Sequence, residues 1–210
     1  MARRDRERLE LAKLDATPPW EQRHRGHAEA TTGPFDEKDA PDDAIERVDL
    51  GALRVPVGPG LDVRLDLNEA REIVGVTVVG ANGQLQIGLY AAPRNEGIWD
   101  EVRAEISESL AAQKGSPSER ADGVFGTELM GKVPDENGAI VPVRMIGVDG
   151  PRWFLRGMLL GPAATDDGAG EAFDEIFRGI VVVRGSDPLP VRDAVPLQLP
   201  SGVVLPEDGE

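Results

Sequence analysis

Three Asx-Gly dipeptides, Asn82-Gly83, Asn137-Gly138 and Asp149-Gly150, each stand between two strand-like runs. Both residue types tolerate the positive φ that a two-residue hairpin turn demands, so each dipeptide predicts a pair of adjacent antiparallel strands. Parallel strands need a long crossover, usually a helix, and turns this tight leave no room for one. The chain is steered away from a doubly wound βαβ sheet.

The runs around the turns agree. Leu53-Arg54-Val55-Pro56-Val57 reads as a short strand whose proline suits an edge, and Gly58-Pro59-Gly60 reads as a turn. Residues 61–67 alternate apolar and charged, as a half-buried strand does. Ile73 to Val79 is β-branched, and Gln84 to Ala91 alternates through Leu85, Ile87 and Leu89. These four runs predict an antiparallel meander.

Over residues 96–112 the period becomes 3.6. Ile98, Val102, Ile106 and Leu110 form one stripe and Glu101, Glu105 and Glu108 face away, with Asn95 as the expected cap. Strands follow at about 126–133, 140–148 and 152–160, then a loop from Pro162 to Gly170. Ala172, Phe173, Ile176 and Phe177 predict a short amphipathic helix, and residues 180–184 a final strand. The expected fold class is α+β, a mostly antiparallel sheet (four-strand meander, helix, three strands, helix, final strand) with helices packed on it.

A single domain is expected over residues 47–185, with tails at 1–46 and 186–210. In the first tail, residues 3–14 suit a short helix with Leu11 and Leu14 on one face and Leu9 to the side, broken by Thr17-Pro18-Pro19-Trp20. From there to Glu46 apolar residues are few and disorder is expected. Trp20 and Phe35 are candidate anchors there, and Thr31 and Thr32 are conceivable phosphorylation sites. The Pro-rich C-terminal tail should run extended over the surface.

Much of the functional argument comes from missing residues. The chain has no cysteine, and its two histidines, His24 and His27, lie in the N-terminal tail. The domain therefore lacks the commonest general base, metal ligand and nucleophile, and neither a metal nor a cofactor is expected. Phosphate-cradling glycine loops and a nucleophile elbow are also missing. A net charge of −15, from 38 acidic and 23 basic residues, opposes non-specific binding to nucleic acid or anionic lipid and favours either solubility or a basic partner. Absence of cysteine fits a cytoplasmic home. No apolar run approaches the roughly 20 residues that membrane insertion needs.

Two segments hold the distinctive side chains. In residues 91–103, Trp99 should border the core with its N–H on a partner, while Arg94 and Arg103 suit either an anion or nearby acids. In residues 147–157, Arg152, Phe154 and Arg156 point to one face and Trp153, Leu155 and Gly157 to the other. Arginine on an apolar strand suggests chosen ion pairs or a ligand site. The binding candidates are Arg94, Trp99, Arg103, Arg152, Trp153 and Arg156, and no catalytic residue is assigned. The leading expectation is a non-enzymatic binding module for a protein or small ligand. One alternative is a hydrolase using two of Asp100, Glu101, Glu128, Asp149 and Asp174 with raised pKa values in a pocket. Another is a homodimer formed through a sheet edge.

These segments, with Phe125-Gly126-Thr127-Glu128-Leu129 and Val181-Val182-Val183-Arg184-Gly185, resemble an actinobacterial family of uncharacterised proteins, the domain of unknown function 3710 family. The likeness spans about Val48 to Pro200 and rests chiefly on APRNEGIWDEVRAEI and GVDGPRWFLRG. It implies a cytoplasmic actinobacterial protein with no assigned activity, and it supplies no catalytic residues.

Overall fold

The computed structural model describes residues 33–135 and 138–200. The expectations placed on residues 1–32 and on Asn137 lie outside them. In chain order the elements are β1 (Phe35–Asp36), β2 (Arg47–Asp49), β3 (Leu53–Pro56), β4 (Asp62–Leu67), β5 (Ile73–Gly80) and β6 (Gly83–Ala91). Then come α1 (Trp99–Ala112), β7 (Ser118–Gly123), β8 (Gly126–Pro134), β9 (Ile140–Gly150), β10 (Trp153–Leu160), α2 (Asp167–Arg178) and β11 (Val181–Val182). This is an α+β fold. Seven antiparallel strands form one sheet in the order β4-β5-β6-β10-β9-β8-β7, and a small second sheet runs β1-β11-β3-β2.

Strand alternation gives the large sheet two apolar faces, each with its own cover. Leu85, Ile87, Leu89, Trp153 and Leu155 point to one side, where Phe173, Ile176 and Phe177 of α2 and Leu53 and Val55 of β3 close over them. Leu129, Val143, Met145 and Phe154 point to the other side, against Trp99 and Leu110 of α1. The expected stripe of α1 holds: Ile98 and Leu110 are buried, Val102 and Ile106 half-buried, and the three glutamates exposed. No helix among the described residues is long and apolar enough to cross a membrane.

Several expectations are corrected. The meander has three strands, because β3 pairs with β2 and β11 in the small sheet instead of with β4. Its residues Leu53 and Val55 are fully buried under α2, a position at the edge of the large sheet would not supply. β7 was not expected at all, since Ser118-Glu119-Arg120-Ala121-Asp122-Gly123 has no apolar alternation and pairs only as an edge. The region called disordered up to Glu46 is ordered from Gly33: β1 pairs parallel with β11, and the Phe35 N–H donates to the Ile180 carbonyl at 2.9 Å. The 162–170 loop shortens to a 3-10 turn at Pro162–Ala164, because Asp166 caps α2 through the Ala169 N–H. The segment after Gly185 is extended but pinned: Val195 N–H donates to Leu89 O, Gln198 N–H donates to Leu50 O, and Val195 and Leu197 are buried.

The predicted Asp149-Gly150 turn lies two residues later. Gly150 pairs with Trp153, leaving Pro151 and Arg152 at the corner, and Arg152 has φ +67°. Proline followed by a positive φ is the pattern of a type II turn. Asp149 is thereby free to cap α1 in place of the expected Asn95. Its carboxylate accepts from the Ile98 N–H at 2.8 Å and the Trp99 N–H at 3.2 Å. No side chain of the local sequence caps that helix. Asp149→Ala should therefore cost about 1–2 kcal/mol in urea unfolding, with Asp149→Asn recovering part of the loss; an unchanged midpoint for the alanine variant would show that the cap carries no stability.

Candidate functional site

The six candidate residues do not converge. Three of them join one aromatic ladder on the α1 face. The Arg103 guanidinium lies 5.6 Å from the Trp99 ring, Trp99 stacks on Phe154 at 5.8 Å, and Phe154 meets Tyr90 at 6.1 Å. Arg156 closes the far end, 5.2 Å from the Tyr90 ring and donating to its hydroxyl at 2.9 Å. The Trp99 indole N–H donates to Thr127 O at 2.8 Å, as its place beside the stripe predicted. Arg103 bonds Glu119 and Asp100. Trp153 belongs to the opposite face and donates to Asp36 at 3.1 Å. Arg152 clamps the carbonyls of Ser186 and Asp187, and Arg94 is exposed on the loop before α1. Trp99 is 6% exposed and Trp153 2%, so both tryptophans work inside the fold.

A different constellation carries the charge. Glu128 on β8, Arg144 on β9 and Asp174 on α2 are buried together beneath α2. Arg120 is the cross-strand neighbour of Glu128 and bonds its Oε2 through Nε at 3.0 Å and Nη2 at 2.6 Å. Arg144 Nη2 bonds Asp174, and Arg144 Nε lies 4.0 Å from Glu128 Oε2. Asp167, in the first turn of α2, bonds Arg120 at 2.7 Å and approaches Arg144 Nη1 at 3.8 Å. One glycine makes the room: a Cβ on Gly123 would overlap the Glu128 side chain.

The cluster is charged yet incomplete. Glu128 Oε1, Arg144 Nε and Arg144 Nη1 are buried without a hydrogen-bond partner. An unmet buried polar atom costs on the order of 1–3 kcal/mol, more when charged. Burial pushes the Glu128 and Asp174 carboxyls above their ordinary range, and the Arg144 guanidinium pulls both part of the way back. Asp167 is held below its usual range by Arg120.

Outside this cluster, α2 and β7 enclose a cleft of about 480 Å³. Two guanidiniums line it, Arg120 and Arg178, against five carboxylates: Asp122, Asp167, Glu171, Asp174 and Glu175. Asp167 is paired with Arg120, Asp174 with Arg144 and Glu175 with Arg178, which leaves Asp122 and Glu171 uncommitted among the described residues. Sequence reasoning weighed Glu128 and Asp174 as acids but missed Arg120 and Arg144. The available signal was Arg144 inside Val143-Arg144-Met145-Ile146, the same pattern of arginine on an apolar strand that marked Arg156.

Fold and site together define a two-faced antiparallel α+β domain with a buried ion cluster behind an acidic cleft. The chain belongs to the DUF3710 family, described as proteins of unknown function, whose profile matches residues 33–204. No curated protein matches it. Among solved structures it is similar to the solution structure of cyanobacterial PsbP (CyanoP) from Synechocystis sp. PCC 6803. That similarity has 12% identity and a TM-score of 0.37, over 68% of this chain and 96% of that one.

A carboxyl raised in the folded state lends stability that is full below its ordinary value and lost as pH rises through the folded one. Glu128 has an ordinary value of 4.5 and is raised. Glu128→Gln, fixed in the neutral form, should therefore gain on the wild type as pH rises from about 4 to 8. Paired urea titrations across that range measure the difference in unfolding free energy. A difference moving against the variant would put the Glu128 carboxyl below its ordinary value.

Proposed function

We propose that this chain is a non-enzymatic binding module of the cytoplasm that receives a cationic group of a protein partner in the cleft between α2 and β7. The observation that carries the reading is the excess of carboxylates in this cleft, two of them uncommitted, beside an ion cluster with unmet buried atoms. Such a site attracts guanidinium or ammonium groups and speeds their encounter. The overall charge of −15 acts in the same sense.

The raised carboxyls of Glu128 and Asp174 favour, as a second reading, the two-carboxylate hydrolase. Glu128 nevertheless has no exposed surface, and an acid–base pair must reach its substrate. Edge-to-edge dimerisation has less support, because the edge strands β4 and β7 carry Asp62, Arg64 and Asp66, and Glu119, Arg120 and Asp122. Charges of this kind blunt an edge.

Triarginine, titrated into the full chain by calorimetry at low salt, tests the binding reading. Asp122→Asn with Glu171→Gln should weaken binding by about tenfold, a loss that one or two ion pairs supply. Glu69→Gln with Glu108→Gln removes the same charge elsewhere and should change it less than about twofold. Equal losses in the two pairs would mean that net charge, not the cleft, attracts the peptide. Hydrolase activity abolished by Asp174→Asn would replace the binding reading.

A further inference from the structure

We infer that Arg152 and Arg184, with Arg94 beside them, form an oxyanion site that takes a phosphate group. The site shares no residue with the cleft, so it stands or falls apart from the cationic-ligand reading. Its first support is an exception to the charge pairing of the chain. With 38 acidic residues against 23 basic ones, an arginine here readily finds a carboxylate. Arg103, Arg120 and Arg192 each hold two. Arg152 and Arg184 bond main-chain carbonyls instead, and neither pairs with a carboxylate among the described residues. Arg94 is exposed and likewise unpaired among them.

The second support is convergence. Arg152 stands at the corner between β9 and β10, and Arg184 follows just after β11. The Arg152 carbonyl ties three segments together, accepting from the Ala92 N–H at 3.1 Å and from Arg184 Nε at 3.2 Å. Arg94 stands just beyond Ala92 in the chain. Both guanidiniums also donate to one oxygen, the Asp187 carbonyl, from Arg152 Nη2 at 3.3 Å and from Arg184 Nη1 at 3.1 Å. Two like charges are thus drawn to the same acceptor. Burial and the Arg152 charge push the Arg184 guanidinium below its ordinary range, and the Asp187 carboxylate offsets this only in part. Fastening the chain after β11 needs donors but no charge. A bound anion is what relieves the repulsion.

The third support is donors left unspent. Arg152 Nε and Arg184 Nη2 make no hydrogen bond among the described residues, and neither do the N–H groups of Gly185, Ser186 and Asp187. Arg152 also holds φ +67° at a corner where glycine or asparagine is favoured. Other residues kept in that region cluster at ligand clamps. The chemistry of the anion follows from the two forks. A carboxylate has a single charge and two oxygens in one plane, which one guanidinium satisfies. A phosphate group brings about two charges and three free oxygens, so it answers both guanidiniums at once.

Inorganic phosphate titrated into the nitrogen-15-labelled full chain, against sodium chloride at equal ionic strength, tests the site. Amide signals of Gly185, Ser186 and Asp187 should shift and saturate. Arg152→Gly suits the positive φ and keeps the turn while removing one fork, and it should weaken phosphate binding about tenfold. Arg94→Gln breaks no contact among the described residues and should weaken it about threefold. Arg64→Gln removes the same charge from β4 and should change it less than about twofold. Shifts no larger than those from sodium chloride overturn the site, as does wild-type affinity in Arg152→Gly. Equal losses in Arg64→Gln and Arg152→Gly overturn it too, since net charge alone would then govern the anion. O-phosphoserine separates the sources of phosphate. Tighter binding than inorganic phosphate assigns the site to phosphate esters, and equal or weaker binding assigns it to the free anion.

Discussion

A guanidinium with 1% exposure has to be answered by charge, and the placing of α2 follows from how Arg144 is answered. Arg144 projects from the centre of β9 into an apolar layer, between Val143 and Met145, which face the other way. Glu128 from the neighbouring strand approaches it along the sheet, and Asp174 reaches it from the helix above. Removing one partner of such a cluster costs about 3–5 kcal/mol, because the others are left charged and buried. Apolar contacts from Phe173, Ile176 and Phe177 would hold α2 on the sheet in several rotations. The Asp174–Arg144 bond selects one, and that one turns Asp167, Glu171 and Glu175 toward the cleft.

The second helix is fixed by a similar economy of one residue. Asp149 ends β9 and caps α1 across a sequence gap of about fifty residues. Trp99 is then laid over Gly147, whose lack of a side chain gives the ring its seat. From there the ladder through Phe154 and Tyr90 carries ring contacts across two strands. Arg103 and Arg156 close its ends with cation–π contacts. Three of the six tryptophans and arginines that look like hot spots in the sequence, Trp99, Arg103 and Arg156, serve this internal stack. Residue type alone did not distinguish an interface from a core.

Strand identity and fold class were legible wherever apolar alternation was regular, as in residues 61–67 and 84–91. So was the α1 stripe, because Ile98 and Leu110 recur at helical spacing and are buried. β7 was illegible for a physical reason: an edge strand exposed on its outer side has no alternation to read, and its pairing rests on backbone bonds and on Arg120 opposite Glu128. β1 is two residues long and its partner β11 is distant in sequence, so no local turn announces it; β2 is three residues long and pairs with the adjacent β3 across Leu50-Gly51-Ala52, too short a run to show alternation. The cap of α1 was misassigned for a related reason. Asn95 is the local candidate, but the loop keeps it exposed while a carboxylate from β9 arrives first. The cleft was only half visible, since each of its acids is unremarkable in a chain with 38 of them. What singles them out is Arg144, and that requires knowing which face of β9 it occupies.

The contrast between cluster and cleft bears on function through solvent. Glu128, Arg144 and Asp174 are shielded, so their mutual attraction is screened little by salt and they behave as part of the scaffold. Asp122, Glu171 and the exposed carboxylate of Asp167 stand in water, where each is individually weak and readily re-paired. A shielded charged floor thus lies beneath a labile charged rim, with Asp174 reaching from the floor into the cleft lining. Asp167 links the two tiers, bonded to Arg120 on the rim and near Arg144 on the floor. Displacement of that one side chain would expose unmet donors of the floor to whatever enters the cleft, so occupancy of the rim would be transmitted to the buried cluster and to the helix it orients.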